Sequence, residues 1–558
     1  MLRWFGGCAP GGQPLVPEGA RLVWSHPPLW TAGTWSDRLL KTADGHGGRL
    51  AAFGPCAATS ADLARALAAP DLSRVAGTWP GSYTVVRLGV QGAVEVITDA
   101  ASACPVYTTR TARGLVWGSS SWALSTLARG GIDTGWLASY LLDKQNPLPG
   151  HSPWADVAPV PAGHRLTLAP GGTARVSPWW SPARRSYADA VPLIRRALTE
   201  GVRARMEDTP VSCDLAGTDS TTVAVIASQY GPVRAMTAHP EGVTDGGDMA
   251  YARLLSVPGL TRTLFPIQSR HLPFSPADDP LPVTDEPAPS SSLWAMFSAQ
   301  MRAATGAGPG CHLTGDGGDN LFIAPPTHLA DLARRRRFLR LAGDALAWAQ
   351  LRKTSPWPLL SAALGRDAHR LARPWLTRPP WLLAPAPAPT AGQADADAVL
   401  VADVRGAARP AYADAQLAEA LGAELHNPYF DALMLDAVAS VPSWDRFTVR
   451  RYKPLLTDAI GDLLPEAHRT RATKGTFAGD FHRGVRVNLP RVLGLADGRL
   501  AAMGLVDPGP LRTAIHAVAL GAETVWPPLL AALVAEMWAE AAACAAPLVW
   551  TPPREASP

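Results

Sequence analysis

Two short turns limit what this chain can fold into. Residues 211–224 read VSCDLAGTDSTTVA, and residues 311–322 read CHLTGDGGDNLF. In each, an apolar run of strand length breaks into a turn of small and acidic residues and then turns apolar again. A small-residue turn between strand and helix lets backbone N–H groups approach an anion closely, and the helix N-terminus adds positive potential there. Ser220 and Thr221 can cap such a helix or touch phosphate oxygens, and Asp219 can hold a cation. Taken alone, the first stretch is equally an ordinary strand–turn–helix with a capping Asp-Ser pair. In the second, Asp316 and Asp319 share a glycine-rich turn with no basic neighbour. Such carboxylates repel each other unless a cation or a cationic substrate sits between them.

At 558 residues the chain exceeds one domain. Its 51 basic and 47 acidic residues nearly balance, so nothing demands nucleic acid. The six cysteines (8, 56, 104, 213, 311 and 544) form no CxxC pair and no His/Cys ligand spacing. That excludes a structural zinc site and a disulfide framework, and a reducing cytoplasm is the expected compartment. The N-terminus, MLRWFGGCAPGG, lacks the apolar core of a signal peptide. Residues 526–550 are apolar but interrupted by Pro527, Pro528 and two glutamates, which predicts a buried helix and a soluble protein.

Residues 1–180 read as a β-rich domain, with short apolar runs at 22–24, 82–88, 94–98, 106–108, 115–118 and 164–168 and helices near 61–69 and 135–142. A boundary is expected at 178–182. Residues 187–206 then show helical apolar spacing, followed by strands at 211, 233–238 (carrying Met236), 260–267 and 311–314, with a helix over 245–255. Strands alternating with helices predict a doubly wound parallel sheet that binds its ligand at the carboxyl ends of the strands. Residues 320–420 carry an arginine run at 334–337, also Arg340, Arg352 and Lys353, and a Pro/Ala-rich stretch at 379–389 expected to be a loop or linker. The arginine run reads as the solvated face of a helix whose apolar side carries Leu329, Leu332 and Phe338, or as a surface for a substrate or partner.

Paired in this order, the two turns resemble the SGGxDS and G(E/D)GxDE motifs of the adenylating domain of asparagine synthetases. Asp219 and Ser220 match the first motif, and Gly315, Asp316, Gly318 and Asp319 match the second. The resemblance implies an ATP site formed by Leu215, Ala216, Gly217, Thr218, Asp219, Ser220, Thr221, Met236 and Gly315, with Mg²⁺ held by Asp219 and Asp319. The first motif departs from the family pattern: either Leu215 and Ala216 replace Ser and Gly, or the loop is one residue shorter. An alanine there restricts approach to phosphate if φ must be positive.

The first 180 residues are similar to the amidotransferase-like domain that precedes the synthetase domain in that family. GTWPGSYTVV, TDAASACPVYTT and VWGSSSWAL follow its segment order. A glutamine-hydrolysing member has cysteine directly after the initiator Met, because the free α-amine serves the thiolate as base. Here position 2 is Leu, and Cys8 lies inside the chain as a small buried residue. The domain is therefore expected to be degenerate and to release no ammonia.

ELHNPYFD (424–431), the RYKPLL of 451–456 and the RATKGTF of 471–477 extend the resemblance toward one subgroup, the lasso peptide cyclases. Membership implies an ATP-dependent, AMP-forming macrolactam synthetase acting on a ribosomal precursor peptide, with a leader-binding protein and a leader peptidase as partners and no role for nucleic acid or membrane. It implies that Lys474 steadies the adenylate, with Lys453 adding charge nearby, and that Glu424 with Asp316 serves proton removal from the amine. Lys474 is otherwise a surface lysine. The alternatives are a β-lactam-synthetase-like cyclase of a small amino acid and a non-catalytic scaffold in a peptide-modification complex.

Overall fold

A computed structural model describes residues 2–553, apart from 146, 208, 244–245, 307–309, 324–325, 366–370, 372–376, 384, 386–394 and 471–477. In the N-terminal part, strands pair into two six-stranded antiparallel sheets. The first runs in the order Val157–Val160, Val106–Thr111, Gly114–Gly118, Trp4–Cys8, Pro28–Ala32 and Arg21–Ser25. The second runs Ala174–Pro178, His164–Leu168, Val94–Ile97, Thr84–Gly89, Gly48–Phe53 and Leu40–Gly45.

Side chains alternate across a strand, so each sheet presents two faces. Phe5, Val106 and Trp117 of the first sheet meet Phe53, Val86 and Leu166 of the second. Phe5 stacks on Phe53 with centroids 4.0 Å apart. On the outer faces Trp4, Trp30 and Val116 pack on Ala123 and Leu124 of helix Ser121–Ala128. Leu50, Ala52 and Val85 pack on Leu63 and Leu67 of helix Ser60–Ala68. The result is a four-layer αββα sandwich, in keeping with the expected amidotransferase-like domain.

The second part is built on a five-stranded sheet in the order Leu260–Ile267, Val233–Pro240, Val211–Asp214, Gly310–Leu313 and Ala423–His426, every pair parallel. Helices Tyr187–Arg203 and Thr218–Ser228 belong to the same apolar core as the strand residues Cys213, Ala235 and Leu313. Helix Trp294–Thr305 packs against three of the strands. Burial on both faces explains why the strands read as apolar runs and not as alternations. The chain winds outward from Val211–Asp214 and then crosses back to Gly310–Leu313, so the strand order reverses between those two. Ligands of such sheets bind at that reversal, beyond the carboxyl ends.

Between 320 and 420 lie helices His328–Arg334, Phe338–Leu351, Trp357–Leu364 and Ala396–Ala420. The arginine run does not lie along one helical face. Only Arg334 ends a helix, Arg336 turns the chain at φ 56°, and Arg335 stacks over Trp444 at 3.6 Å. Leu329 and Leu332 are core, but Phe338 opens the next helix and is 55 % exposed. Residues 384 and 386–389 of the Pro/Ala stretch lie outside the described residues. The C-terminal helix Trp526–Cys544 packs on helix Thr134–Leu142, and Trp550–Thr551 pairs with Val16–Pro17. Among the described residues no helix is long and apolar enough to cross a membrane.

Candidate active site

At the strand reversal lies a cavity of about 440 Å³, within the roughly 300–1,000 Å³ typical of small-molecule sites. Ala216, Gly217, Thr218, Asp219 and Ser220 form one wall, and Gly315, Asp316 and Asp319 another. Gly217 caps helix Thr218–Ser228, whose first N–H groups have no partner within the helix. The loop closes on itself, because Ala216 N–H donates to Ser220 Oγ at 3.2 Å and Ser220 Oγ donates to Gly217 O at 3.3 Å. Gly217 has φ −87°, and Ala216 is not among the left-handed residues. Alanine in place of glycine therefore costs this loop nothing. A Cβ on Gly217 would meet only open space, which leaves the cradle accessible to an anion.

The second turn needs its glycines for a different reason, close approach. A Cβ on Gly315 would lie 2.5 Å from Ser220 N, and one on Gly318 2.4 Å from Asp219 Cγ. Gly315→Ala is thus expected to push the two turns apart and lower nucleotide affinity at least about tenfold, which is the loss of roughly one charge-assisted hydrogen bond. Calorimetric titration of ATP would measure it.

Lys453 places a cation between one aspartate of each turn, Asp219 and Asp319, where the sequence led one to expect it between Asp316 and Asp319. Its ammonium bonds the Asp219 carboxylate and lies 2.6 Å from Asp319 Oδ1, with Lys453 only 1 % exposed. Burial works against that charge, yet Asp219 and Asp319 outweigh it and hold the lysine above its usual pKa. Lys453 precedes helix Pro454–Ile460 in a left-handed conformation, φ 45°. Tyr429, fully buried, donates its hydroxyl to Asp219 O at 3.2 Å and fixes the loop from behind.

The far wall of the cavity is apolar, formed by Met236, Leu293, Met296, Phe297 and Leu425. Polar groups interrupt it at two places. Asp214 Oδ1 lies 3.2 Å from both Gln300 Nε2 and His312 Nε2, and His312 Nδ1 lies 2.9 Å from Ser212 Oγ. Asp414, from helix Ala396–Ala420, accepts from Ser290 N–H at 2.9 Å. The backbone N–H of Asp316 donates to Thr314 Oγ1, which in turn donates to Asn427 Oδ1 at 2.5 Å.

Of the residues singled out in the sequence, the fold gathers Ala216 to Ser220, Met236, Gly315, Asp316 and Asp319 around one cavity, with Lys453 bonded to two of them. Leu215 and Thr221 stand behind the wall, each 1 % exposed; Leu215 is tied through its backbone to Met236 O and Thr237 Oγ1. Lys474 lies outside the described residues.

Glu424 is not brought to the cavity. Its strand neighbour Leu425 lines the wall, while Glu424 enters an ion network with the N-terminal domain: Arg38 Nη2 at 2.5 Å, Arg3 Nη1 at 3.5 Å and His426 Nε2 at 3.1 Å. Burial would raise its pKa, but the His426 hydrogen bond and the two guanidiniums hold it well below the usual carboxylate range. Burial pushes His426 down to about 4. Cys311, Glu424 and His426 have ligand atoms within 4.8 Å of one another, but the two arginines already neutralise the carboxylate, which disfavours a cation there. Cys8 is buried, donates to Leu15 O, and has a pKa pushed up to about 11 by that burial, far from a reactive thiolate.

The parallel sheet, the small-residue loop at its strand reversal and the buried lysine shared by two aspartates make the second part an α/β domain, preceded in the chain by the αββα domain. Residues 193–540, more than half of the chain, match the asparagine synthase family. The chain belongs to that family, one of ATP-dependent amide ligases. No curated protein matches it. Among solved structures it is similar to the allosteric regulatory enzyme of purine biosynthesis, at 10 % identity over 50 % of this chain and 76 % of that one, TM-score 0.22. It is also similar to the glutamine phosphoribosylpyrophosphate amidotransferase of B. subtilis complexed with ADP and GMP, at 8 % identity over 56 % and 75 %, TM-score 0.22. Both scores are too low to bear on fold or activity.

Proposed function

We propose that the chain is a lasso peptide cyclase. It adenylates an Asp or Glu side-chain carboxylate of a leaderless core peptide and closes a macrolactam with the peptide's N-terminal amine, releasing AMP and pyrophosphate. The observation that carries the adenylation step is the bonding of Asp219 and Asp319 to the buried Lys453 beside an open glycine cradle at a helix N-terminus. Such fixed charge stabilises a departing pyrophosphate without reorganising at the moment of reaction. Asp219 and Asp319 offer oxygen ligands of the kind Mg²⁺ takes and would hold it by exchanging part of their contact with Lys453; the ion would supply further neutralisation of the phosphates.

The amine is assigned to the peptide's own N-terminus. Cys8 is buried with its thiol pushed up to about 11, which makes it unfit to serve the N-terminal domain as an ammonia-releasing nucleophile, and Arg3 is tied to Glu419 and Glu424. An intramolecular amine also gains the large advantage of positioning over a bimolecular encounter. A leader-binding protein and a leader peptidase are proposed partners, in the cytoplasm, because the core peptide must first be freed.

The test is nucleotide consumption by the purified protein with Mg²⁺, with and without leaderless peptide. AMP and pyrophosphate formed only with peptide, and lost in Asp219→Ala, support the cyclase. AMP formed only with small amino acids moves the reading to a small-ring synthetase, and peptide binding without turnover moves it to a scaffold.

A further inference from the structure

The amine that closes a ring must arrive as a neutral nucleophile, and it reaches the protein as an ammonium. Glu424, expected from the resemblance to serve this step, faces away from the cavity and is fixed by Arg3, Arg38 and His426. The carboxylates that do line the cavity are Asp214, Asp219, Asp248, Asp316, Asp319 and Asp414. Asp219 and Asp319 are held by Lys453, and Asp214 by Gln300 and His312. Asp414 differs from these. It projects from the long helix Ala396–Ala420 into the same cavity as Asp316, beside the apolar side chains of Leu293, Phe297 and Leu425.

On the reading that the chain is a peptide cyclase, we propose that Asp414, with Asp316, forms the carboxylate pair that receives the peptide's α-ammonium and takes its protons as the ring closes. Ser290 N–H fixes one Asp414 oxygen at 2.9 Å, and Thr314 and Asn427 brace the Asp316 turn. Two carboxylates lining one cavity favour a cation between them, and the less exposed of the two, Asp414, holds a proton more readily than it would alone. Burial raises Asp414 to about 7, with Asp316 adding to the rise and Ser290 and Lys144 opposing it. Lys144 is the facing cation, and burial lowers its own pKa against the pull of Asp414.

The ammonium gives one proton to the pair on becoming the nucleophile and a second as the C–N bond forms. The bond between the acyl carbon and the phosphate oxygen breaks, and AMP leaves with its electron pair. The pair then passes each proton to solvent. Neither step needs a further reactant.

Asp414→Asn and Asp414→Glu in the full chain test this, with hydroxylamine as a nucleophile that is already neutral near pH 7. For Asp414→Asn, peptide-dependent ATP–pyrophosphate exchange and trapping of the peptide as its hydroxamate should persist at saturating peptide. Ring closure should fall roughly a hundredfold or more, the usual scale of a lost general base, with partial recovery in Asp414→Glu. Closure at the wild-type rate in Asp414→Asn overturns the proposal. So does exchange falling in step with closure, the mark of a structural role, or an amine-specific loss confined to Glu424→Gln. Wild-type protein without peptide-dependent exchange would instead overturn the cyclase reading, and the same hydroxylamine comparison on whichever carboxylate supports exchange would still decide the part of Asp414.

Discussion

Lys453→Met is expected to lower peptide-dependent ATP–pyrophosphate exchange about a thousandfold, at the upper end of what one preorganised charge donor contributes in a water-poor site. Two effects act together. The variant removes the positive charge that offsets the two aspartates beside the proposed pyrophosphate site, and it leaves Asp219 and Asp319 to repel each other across the gap the ammonium bridged. If the lysine works through that cluster, Asp219→Asn added to Lys453→Met should cost much less than the sum of the two single changes, since residues acting as a unit are not additive. Full additivity would mean that Lys453 acts elsewhere. Circular dichroism on each variant separates this loss from unfolding.

The second large effect is on stability. Arg205 and Asp431 are buried to within 1 % of full and form a two-point pair at 2.6 and 3.0 Å. Ser82 of the N-terminal domain joins it, donating to Asp431 at 2.6 Å and accepting from Arg205 at 3.1 Å. Removing one partner of a buried pair strands the other charge and costs about 3–5 kcal/mol. Asp431→Ala should therefore lower stability on that scale, measured by denaturant unfolding. Because Ser82 belongs to the other domain, the first unfolding step should show the loss. A change below about 1 kcal/mol would mean that water reaches Arg205 once the carboxylate is gone.

How much of this was legible in the sequence follows from where each signal lies. The two glycine-rich turns are contiguous, and their chemistry is written in a few adjacent residues, so Asp219, Ser220, Asp316 and Asp319 could be found there. The β-rich character of the first domain was legible in its short apolar runs, but strand Trp4–Cys8 was not among them, because Gly6 and Gly7 interrupt its apolar pattern. The facing direction of Glu424 was not. On the four-residue strand Ala423–His426 a shift of one position exchanges the two faces, and only the arginines at positions 3 and 38 show which face it takes.

Asp414 carried no signal at all. It is one acid on a 25-residue helix in a region without motifs, and tertiary packing alone brings it to the cavity. The arginine run misled because the expected helix continues only if the chain does not turn, and Arg336 turns it. Tyr429 and Lys453 lie more than two hundred residues from the loop they support, although Lys453 stood within a recognisable segment.

The central claim is that one molecule of peptide supplies both the carboxylate and the amine. Mass spectrometry of a leaderless peptide incubated with the protein, ATP and Mg²⁺ tests it most directly, alongside the same peptide acetylated at its N-terminus. Loss of one water from the free peptide, none from the acetylated one, and AMP in equal amount to the product are the predicted result. A peptide that consumes ATP to AMP yet gains an amide from added ammonia, or that loses water equally when its N-terminus is blocked, would contradict it.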